Sequence, residues 1–327
     1  MYLMRGFDHR LCTAPMMDWT DRHCRFFFRQ LAPHAVVYTE MITTGALVHG
    51  DVDRHLRFDA AEHPVALQLG GSDPKALAYC ARLGEQYGYD EINLNCGCPS
   101  ERVQEGAFGA CLMAEPQLVA ECVRAMDEAV SIPVTVKHRL GIDSIERYDF
   151  VCDFVAALAA AGCATFVVHA RNAVLKGLSP KANREVPPLK YDYVHRLKRD
   201  FPEACIVVNG GLDSLVQVDE QLGQVDGVML GRVAYHDPYV LALADARLFG
   251  GTAPSREAVV ERMHRYAITQ STRGTPLRAI ARHMLGLYHG QPNARAWRRT
   301  LSDARLLALN DPALLLDAIP KSETAAA

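Results

Sequence analysis

The feature that most constrains this chain is a series of eight short apolar, β-branched runs, each followed by enough sequence for a helix and two loops. The runs are LCTAP (11–15), AVVYTE (35–40), PVALQLG (64–70), EINLNCG (91–97), PVTVKHR (133–139), TFVVHAR (165–171), CIVVNGG (205–211) and DGVMLGR (226–232). Their ends fall near residues 14, 39, 69, 95, 137, 169, 209 and 231. Continuous apolar strands alternating with helices imply a parallel sheet covered on both faces, and eight such units over about 230 residues match a closed (β/α)8 TIM barrel of the α/β class. A doubly wound open sheet is the alternative architecture.

Helix signals fit this alternation. Pro74 to Tyr87 follows the capping candidates Ser72 and Asp73 and stops at Gly88, and Tyr148 to Ala161 stops at Gly162. Near Gly250-Gly251 the barrel pattern gives way to a linker ending in an N-cap at Ser255, and the rest reads as helical. The expected organisation is a catalytic barrel over 1–249 followed by a small C-terminal α-helical bundle over 250–327. In the tail, Leu277, Ile280, Ala281, Met284, Leu285 and Tyr288 keep helical spacing. A further helix from Asn293 puts Trp297, Leu301, Ala304 and Ala308 on one face and Arg295, Arg298 and Arg299 on the other.

Charge separates the two parts. The formal net charge of -3 excludes a protein that is basic throughout. Residues 250–327 nevertheless hold 11 Lys+Arg against 6 Asp+Glu, net +5, which leaves 24 against 32, net -8, for 1–249. Nine arginines and one acid, Asp303, lie between Arg262 and Arg305. So one-sided a run in an acidic chain points to an anionic partner, and a nucleic acid is the obvious one. No apolar stretch is long enough for a membrane helix, and the N-terminus meets charge before any signal core could form, so a cytoplasmic location is expected. The ten cysteines lack a disulfide framework or zinc spacing, so free thiols and no metal are expected. No stable protein partner is implied.

A (β/α)8 barrel carries its active site at the C-terminal ends of its strands. Here those ends supply Pro15-Met16-Met17, Gln68, Asn93 and Asn95 with Cys96-Gly97-Cys98, Lys137 and Arg139, His169 and Arg171, Asn209-Gly210-Gly211, and Gly231-Arg232. Glycines after the seventh and eighth strands allow backbone N–H groups to approach an anion closely, which suits a cofactor phosphate, and Arg232 adds a charge.

The segments APMMDWTDRHCR, YTEM, ALQLGGSDP, YDEINLNCGCPSERVQEGAFGACLM, IPVTVKHRLGID, VHAR, LSPKANREVPPL, NGG and DGVMLGR resemble the tRNA-dihydrouridine synthases. The GCPS and SPKANRE segments most closely resemble the bacterial A-type enzymes acting on D-loop uridines 20 and 20a. The likeness covers the barrel and continues into RHMLGLYHG and AWRR of the tail. It implies an FMN enzyme in which NADPH reduces the flavin, hydride passes to C6 of a uridine flipped from tRNA, and a loop cysteine protonates C5. On matching positions that acid is Cys98. FMN would be held by Pro15, Met16, Met17, Gln68, Lys137, His169, Asn209, Gly210, Gly211, Gly231 and Arg232, and tRNA would meet Asn95, Lys181, Arg184, Arg295 and Arg298. Cys96 stands where the family pattern has a small aliphatic residue, which leaves open which thiol is reactive.

The chemistry points the same way. Hydride addition at C6 develops an enolate across C5 and the C4 carbonyl, so the site needs a proton source and nearby positive charge. Cys98, between Gly97 and Pro99 after the fourth strand, can face the barrel mouth; Cys111, in apolar surroundings, is the alternative acid. His169 can bond either a flavin phosphate or a substrate carbonyl. Arg139 and Arg171 can contact the uracil or its phosphate, or pair with acids of neighbouring loops. A small-molecule flavin reductase would use a similar barrel and cysteine without the arginine run, and an RNA-binding protein without chemistry would need neither the cysteine loop nor the glycines.

Overall fold

A computed structural model describes residues 8–320 apart from 101, 102 and 104. Three residues of the cysteine-loop motif (Glu101, Arg102 and Gln104), the first seven residues and the tail charges Lys321 and Glu323 therefore lie outside the described residues. Nine parallel strands are present: β1 (Leu11–Thr13), β2 (Val36–Tyr38), β3 (Ile42–Thr43), β4 (Val65–Gly70), β5 (Glu91–Cys96), β6 (Val134–Arg139), β7 (Thr165–His169), β8 (Cys205–Asn209) and β9 (Gly227–Leu230). Strand β1 pairs with β2 on one side and β9 on the other, and β2 pairs with β4 to close the ring. The eight expected strands thus form a closed barrel. Strand β3, two residues long, is an addition that pairs with β4 at Ile42–Leu69 and Thr43–Gly70 and shifts the later strand numbers by one.

Alternation along each strand sets what the barrel holds. Cys12, Val36, Tyr38, Ala66, Val167, Val207 and Met229 form a buried cluster inside it. Residues of the opposite parity face the helices: His138 lies against the Phe154 and Phe166 rings at 5.3 and 6.0 Å between centroids. The helix Pro74–Tyr87 is capped by Asp73, whose side chain accepts from the Ala76 N–H, and ends at Gly88 with φ +92°. Within it, a Cβ on Gly84 would come within 2.7 Å of the Ile92 and Leu67 side chains, so the glycine lets helix and strands approach closely.

The chain packs as two compact units, one formed by residues 1–18 and 35–231 and the other by 19–34 and 232–327. All nine strands lie in the first. The second is helical, and its packing boundary falls at 231 because the helix Arg22–Leu31 packs with both Tyr239–Phe249 and Arg256–Ser271. Ser255 caps that last helix as expected, accepting from the Ala258 N–H.

Two tail expectations are corrected. The Leu277–Tyr288 stripe is helical only over Leu277–Ala281 and continues as turns closed by i to i+3 bonds, such as Met284 N–H to the Ala281 carbonyl and Leu287 N–H to the Met284 carbonyl, both 3.0 Å; the Met284 carbonyl also accepts from the Trp297 indole N–H at 2.9 Å. The stripe still packs: Leu277, Ile280, Ala281, Met284 and Tyr288 are buried. The helix Ala294–Ser302 stops at Asp303, whose side chain caps a new helix, Ala304–Ala308. Ala304 and Ala308 are accordingly exposed, while Trp297 and Leu301 are sealed and Arg295, Arg298 and Arg299 are solvent-facing.

Candidate active site

Strand ends bring the expected polar residues to one end of the barrel. Because β5 alternates, Glu91, Asn93 and Asn95 share the interior face with Gln68, Thr135 and Lys137, as their mutual hydrogen bonds require. Lys137 donates to Asn209 Oδ1 at 3.0 Å, and Asn209 in turn donates to the Met229 carbonyl at 2.8 Å. Gln68 is fully enclosed, with its amide engaged by Asn93 and Asn95.

The same alternation separates the cysteines. Cys96, the last residue of β5, points to the helix side, and burial followed by the neighbouring Cys122, Cys163 and Cys111 thiols pushes its own thiol well up. Its sulfur has no exposure. Cys98, two residues on in the loop, is half-buried, with Sγ 3.5 Å from Ser100 Oγ. The loop backbone is fixed: Asn95 Oδ1 accepts from the Gly97 and Cys98 N–H groups at 3.1 and 3.0 Å, and the Cys98 carbonyl accepts from Ala110 N–H at 2.9 Å. Gly109, at φ +78°, must be glycine, since a Cβ there would lie 2.6 Å from the Cys98 carbonyl oxygen. Cys111 donates to the Phe108 carbonyl at 3.0 Å, and burial raises its thiol. Of these three thiols, Cys98 keeps accessibility together with proximity to cations.

The electrostatics are those of an enclosed cationic mouth. Burial, reinforced by Arg139, pulls the Lys137 ammonium down to about 7, while charge on Cys98 would raise it. Burial and then Arg139, Lys137, Arg171 and Arg184 hold the His169 imidazole well below its ordinary value, so the ring is neutral. Among the described residues no group hydrogen-bonds that ring, although it is 9% exposed. Gly210 adopts φ +107°, and a Cβ on it would lie 2.6 Å from the His169 ring; Gly211 adopts φ +69°, and Tyr191 Oη donates to the Gly210 carbonyl at 2.6 Å. Gly231 ends the barrel unit beside Ala14, with room to spare, and Arg232 begins the other unit. Pro15 and Met16 are half-buried after β1, and Met17 is 56% exposed.

Other residues take structural parts that composition could not reveal. Arg139 donates to three backbone carbonyls, those of Gly97 at 2.9 Å, Asn172 at 2.9 Å and Asn183 at 3.0 Å, and Arg171 donates to the Glu185 and Pro187 carbonyls. These guanidiniums tie down the loop after β7. Asn183, fully buried, closes that loop on itself through the Val174 N–H and the Val174 and Leu178 carbonyls. Lys181 and Arg184 are thereby presented on its exposed side. Asn95 is 8% exposed, its oxygen accepting from two loop N–H groups and one amide hydrogen donated to Gln68, which leaves the second amide hydrogen for any further contact. In the helical unit, Arg262 donates to the Gln30 carbonyl and Arg282 pairs with Asp21 at 2.7 Å, so these two of the nine arginines serve packing.

No helix among the described residues is long and apolar enough to cross a membrane. Residues 12–322 match the family described as dihydrouridine synthase (Dus). The chain is 57% identical over 318 residues to a tRNA-dihydrouridine(20/20a) synthase of Pseudomonas syringae pv. tomato, covering 97% of this chain and 94% of that one. It is 55% identical over 311 residues to a protein of the same name from Synechocystis sp., covering 94% and 93%, and 56% identical over 297 residues to one from Escherichia coli K12, covering 90% and 86%.

Proposed function

The chain belongs to the dihydrouridine synthase family and is an oxidoreductase of that kind, and from that premise we propose that it reduces uridines 20 and 20a in the D-loop of tRNA, with FMN as cofactor and NADPH as reductant. The observation that carries this reading is a half-buried thiol, Cys98, on a braced loop beside Lys137 and Arg139. The residues present fit a flavin phosphate and ring. Gly210 and Gly211, at φ +107° and +69°, keep the backbone close against His169 and Leu189 where no Cβ would fit, the neutral His169 ring has no hydrogen-bond partner among the described residues, and Lys137 adds its amine beside Asn209. Pro15, Met16, Met17, Gln68, Asn209, Gly231 and Arg232 complete the proposed flavin contacts.

When bound, FMN would supply the hydride that adds to C6 of the uracil. Cys98 delivers the balancing proton from Sγ to C5, and the thiolate regains it from solvent. Lys137 and Arg139 place positive charge where the reacting ring becomes enolate-like, in an enclosure where such charge acts strongly. The net change takes uridine, NADPH and one proton to dihydrouridine and NADP+. Asn95, Lys181, Arg184, Arg295 and Arg298 are the proposed tRNA contacts, so the division of labour is a barrel over 1–249 for chemistry and a tail over 250–327 for grip. Flipping a base out of its stack costs a few kcal/mol, which phosphate contacts spread over a basic surface would offset. A tRNA substrate supports a cytoplasmic location for the reaction. The test is mapping dihydrouridine in tRNA from a strain lacking the protein, before and after adding purified yellow protein and NADPH. Restoration at 20 and 20a is the expected result, and tRNA left unmodified at both positions would overturn the reading.

A further inference from the structure

Inside the barrel unit a line of buried side chains joins the cysteine loop to a carboxylate deep in the core. Asn95 Oδ1 accepts from the Gly97 and Cys98 N–H groups, and its Nδ2 donates to Gln68 Oε1 at 2.8 Å. Gln68 Nε2 donates to Asn93 Oδ1 at 2.8 Å, Asn93 Nδ2 to Thr135 Oγ1 at 2.8 Å, and Thr135 Oγ1 to Glu91 Oε1 at 2.6 Å. Glu91 is fully buried; Oε1 also receives the Tyr38 hydroxyl at 2.8 Å, and Oε2 lies 2.7 Å from the His9 ring.

Both ends of this line have fixed polarity. A backbone N–H only donates, and a carboxylate oxygen that already receives two hydroxyls only accepts. Every group between them, a hydroxyl and three amides, can point either way in isolation. The two ends agree on one orientation: the loop N–H groups require the Asn95 oxygen, so Asn95 turns its NH2 to Gln68, Gln68 its NH2 to Asn93 and Asn93 its NH2 to Thr135, whose hydroxyl is left to donate to Glu91. Reversing any one amide sets two donors or two acceptors against each other, which a buried site tolerates poorly.

We propose that Glu91, acting through Thr135 and Asn93, is a positioning residue for Cys98: the carboxylate anchors the far end of an amide relay whose polarity it shares with the loop N–H groups, and the anchored relay holds the backbone that carries the thiol. The role rests on the reading of Cys98 as the proton donor, and Thr135 is the place to cut the line without touching either end.

Thr135→Val keeps the shape and removes the hydroxyl; Thr135→Ser restores it; Tyr38→Phe removes the other hydroxyl on the same Glu91 oxygen but lies off the line. Thr135→Ala serves if valine does not fold. Two rates are measured: single-turnover uridine reduction by the flavin-loaded enzyme at saturating tRNA, and iodoacetamide modification of Cys98 in flavin-free protein, followed by mass spectrometry of its peptide. Thr135→Val is expected to slow uridine reduction by about ten- to a hundredfold, since small misplacements of a reacting group have that effect. Because the line runs through Gln68 and Asn95, KM for tRNA and reduction of the flavin by NADPH are measured alongside, and each is expected to change by less than the uridine-reduction rate. Cys98 modification shifts at least severalfold, and Thr135→Ser and Tyr38→Phe behave as wild type. The proposal is overturned if Thr135→Val matches wild type in both rates, if Tyr38→Phe falls as far as Thr135→Val, or if serine fails to rescue. Full uridine reduction by Cys98→Ala would instead remove the underlying reading of Cys98, a result separate from the modification rates.

Discussion

At the scale of single residues, the candidate site turns on which side of a strand a side chain faces. Cys96 and Cys98 are two apart in sequence, yet one is sealed under the helices and the other borders the mouth, because β5 ends between them. Cys98→Ala should therefore retain flavin and tRNA while losing about 10²–10⁴-fold in uridine reduction, the usual contribution of a positioned acid. Unchanged turnover would move the proton source elsewhere. Lys137 yields a pH prediction with a definite sign. Its ammonium is held down to about 7 in the folded protein against an ordinary 10.5, so between those values the unfolded chain carries a proton that the folded flavin-free chain lacks. Stability contributed by this group therefore rises with pH from about 7 to 10.5 and is flat below 7, where both states are charged. Flavin-free wild type should gain on Lys137→Met in unfolding midpoint between pH 7 and pH 9; a constant gap would mean that the folded lysine keeps its proton. Sequence alone named Cys98 and Lys137 because strand-end polar residues in a barrel stand out. It could not rank Cys96 below Cys98, since that depends on where β5 ends, nor show that Arg139 bonds carbonyls, which carry no sequence signal.

At the scale of elements, the eight strands were legible because each is a continuous apolar run between turn signals, a pattern that only a sheet covered on both faces produces. The interior polar line of Glu91, Asn93 and Asn95 was legible only as spacing: three polar residues at every second position of β5 mark one face, but their partners come from β4 and β6 and require the closed sheet. Tail helices were overextended for a related reason. Helical spacing persists across Leu277–Tyr288 and across Asp303, while the chain passes into i to i+3 turns after Ala281 and Asp303 caps forward into the next helix. The loop after β7 shows how an element gains shape without secondary structure. Arg139 spans from Gly97 to Asn172 and Asn183, fastening this loop to the cysteine loop. Arg139→Leu leaves three buried carbonyls without their charged donor and should destabilise the protein by about 2–4 kcal/mol. In limited proteolysis, cleavage should appear first between residues 174 and 187, the span that carries Lys181 and Arg184. Cleavage confined to other segments would show that Arg139 does not hold this loop.

At the scale of the whole molecule, a formal charge of -3 conceals two surfaces of opposite character. An RNA approaching the acidic segment 1–249 would meet net repulsion, so binding requires its charge contacts to be concentrated elsewhere. We propose that the tail meets this requirement through arginines that packing leaves available. Arg295, Arg298 and Arg299 lie exposed along the side of Ala294–Ser302 opposite the sealed Trp297 and Leu301, whereas Arg262 and Arg282 are held by Gln30 and Asp21. Each arginine that neutralises a phosphate releases counterions, which makes affinity fall with salt in proportion to the number of such contacts. Arg295→Ala together with Arg298→Ala should therefore weaken tRNA binding most at low salt. The slope of log affinity against log salt should become shallower by about 1.4 to 1.8, the release expected for two phosphates. NADPH-driven reduction of the flavin needs neither arginine and should be unaffected, which separates loss of grip from loss of fold. If the double variant binds more weakly with its salt slope intact, the arginines act through packing, and the charge asymmetry must be assigned to Lys181, Arg184 or the remaining tail arginines.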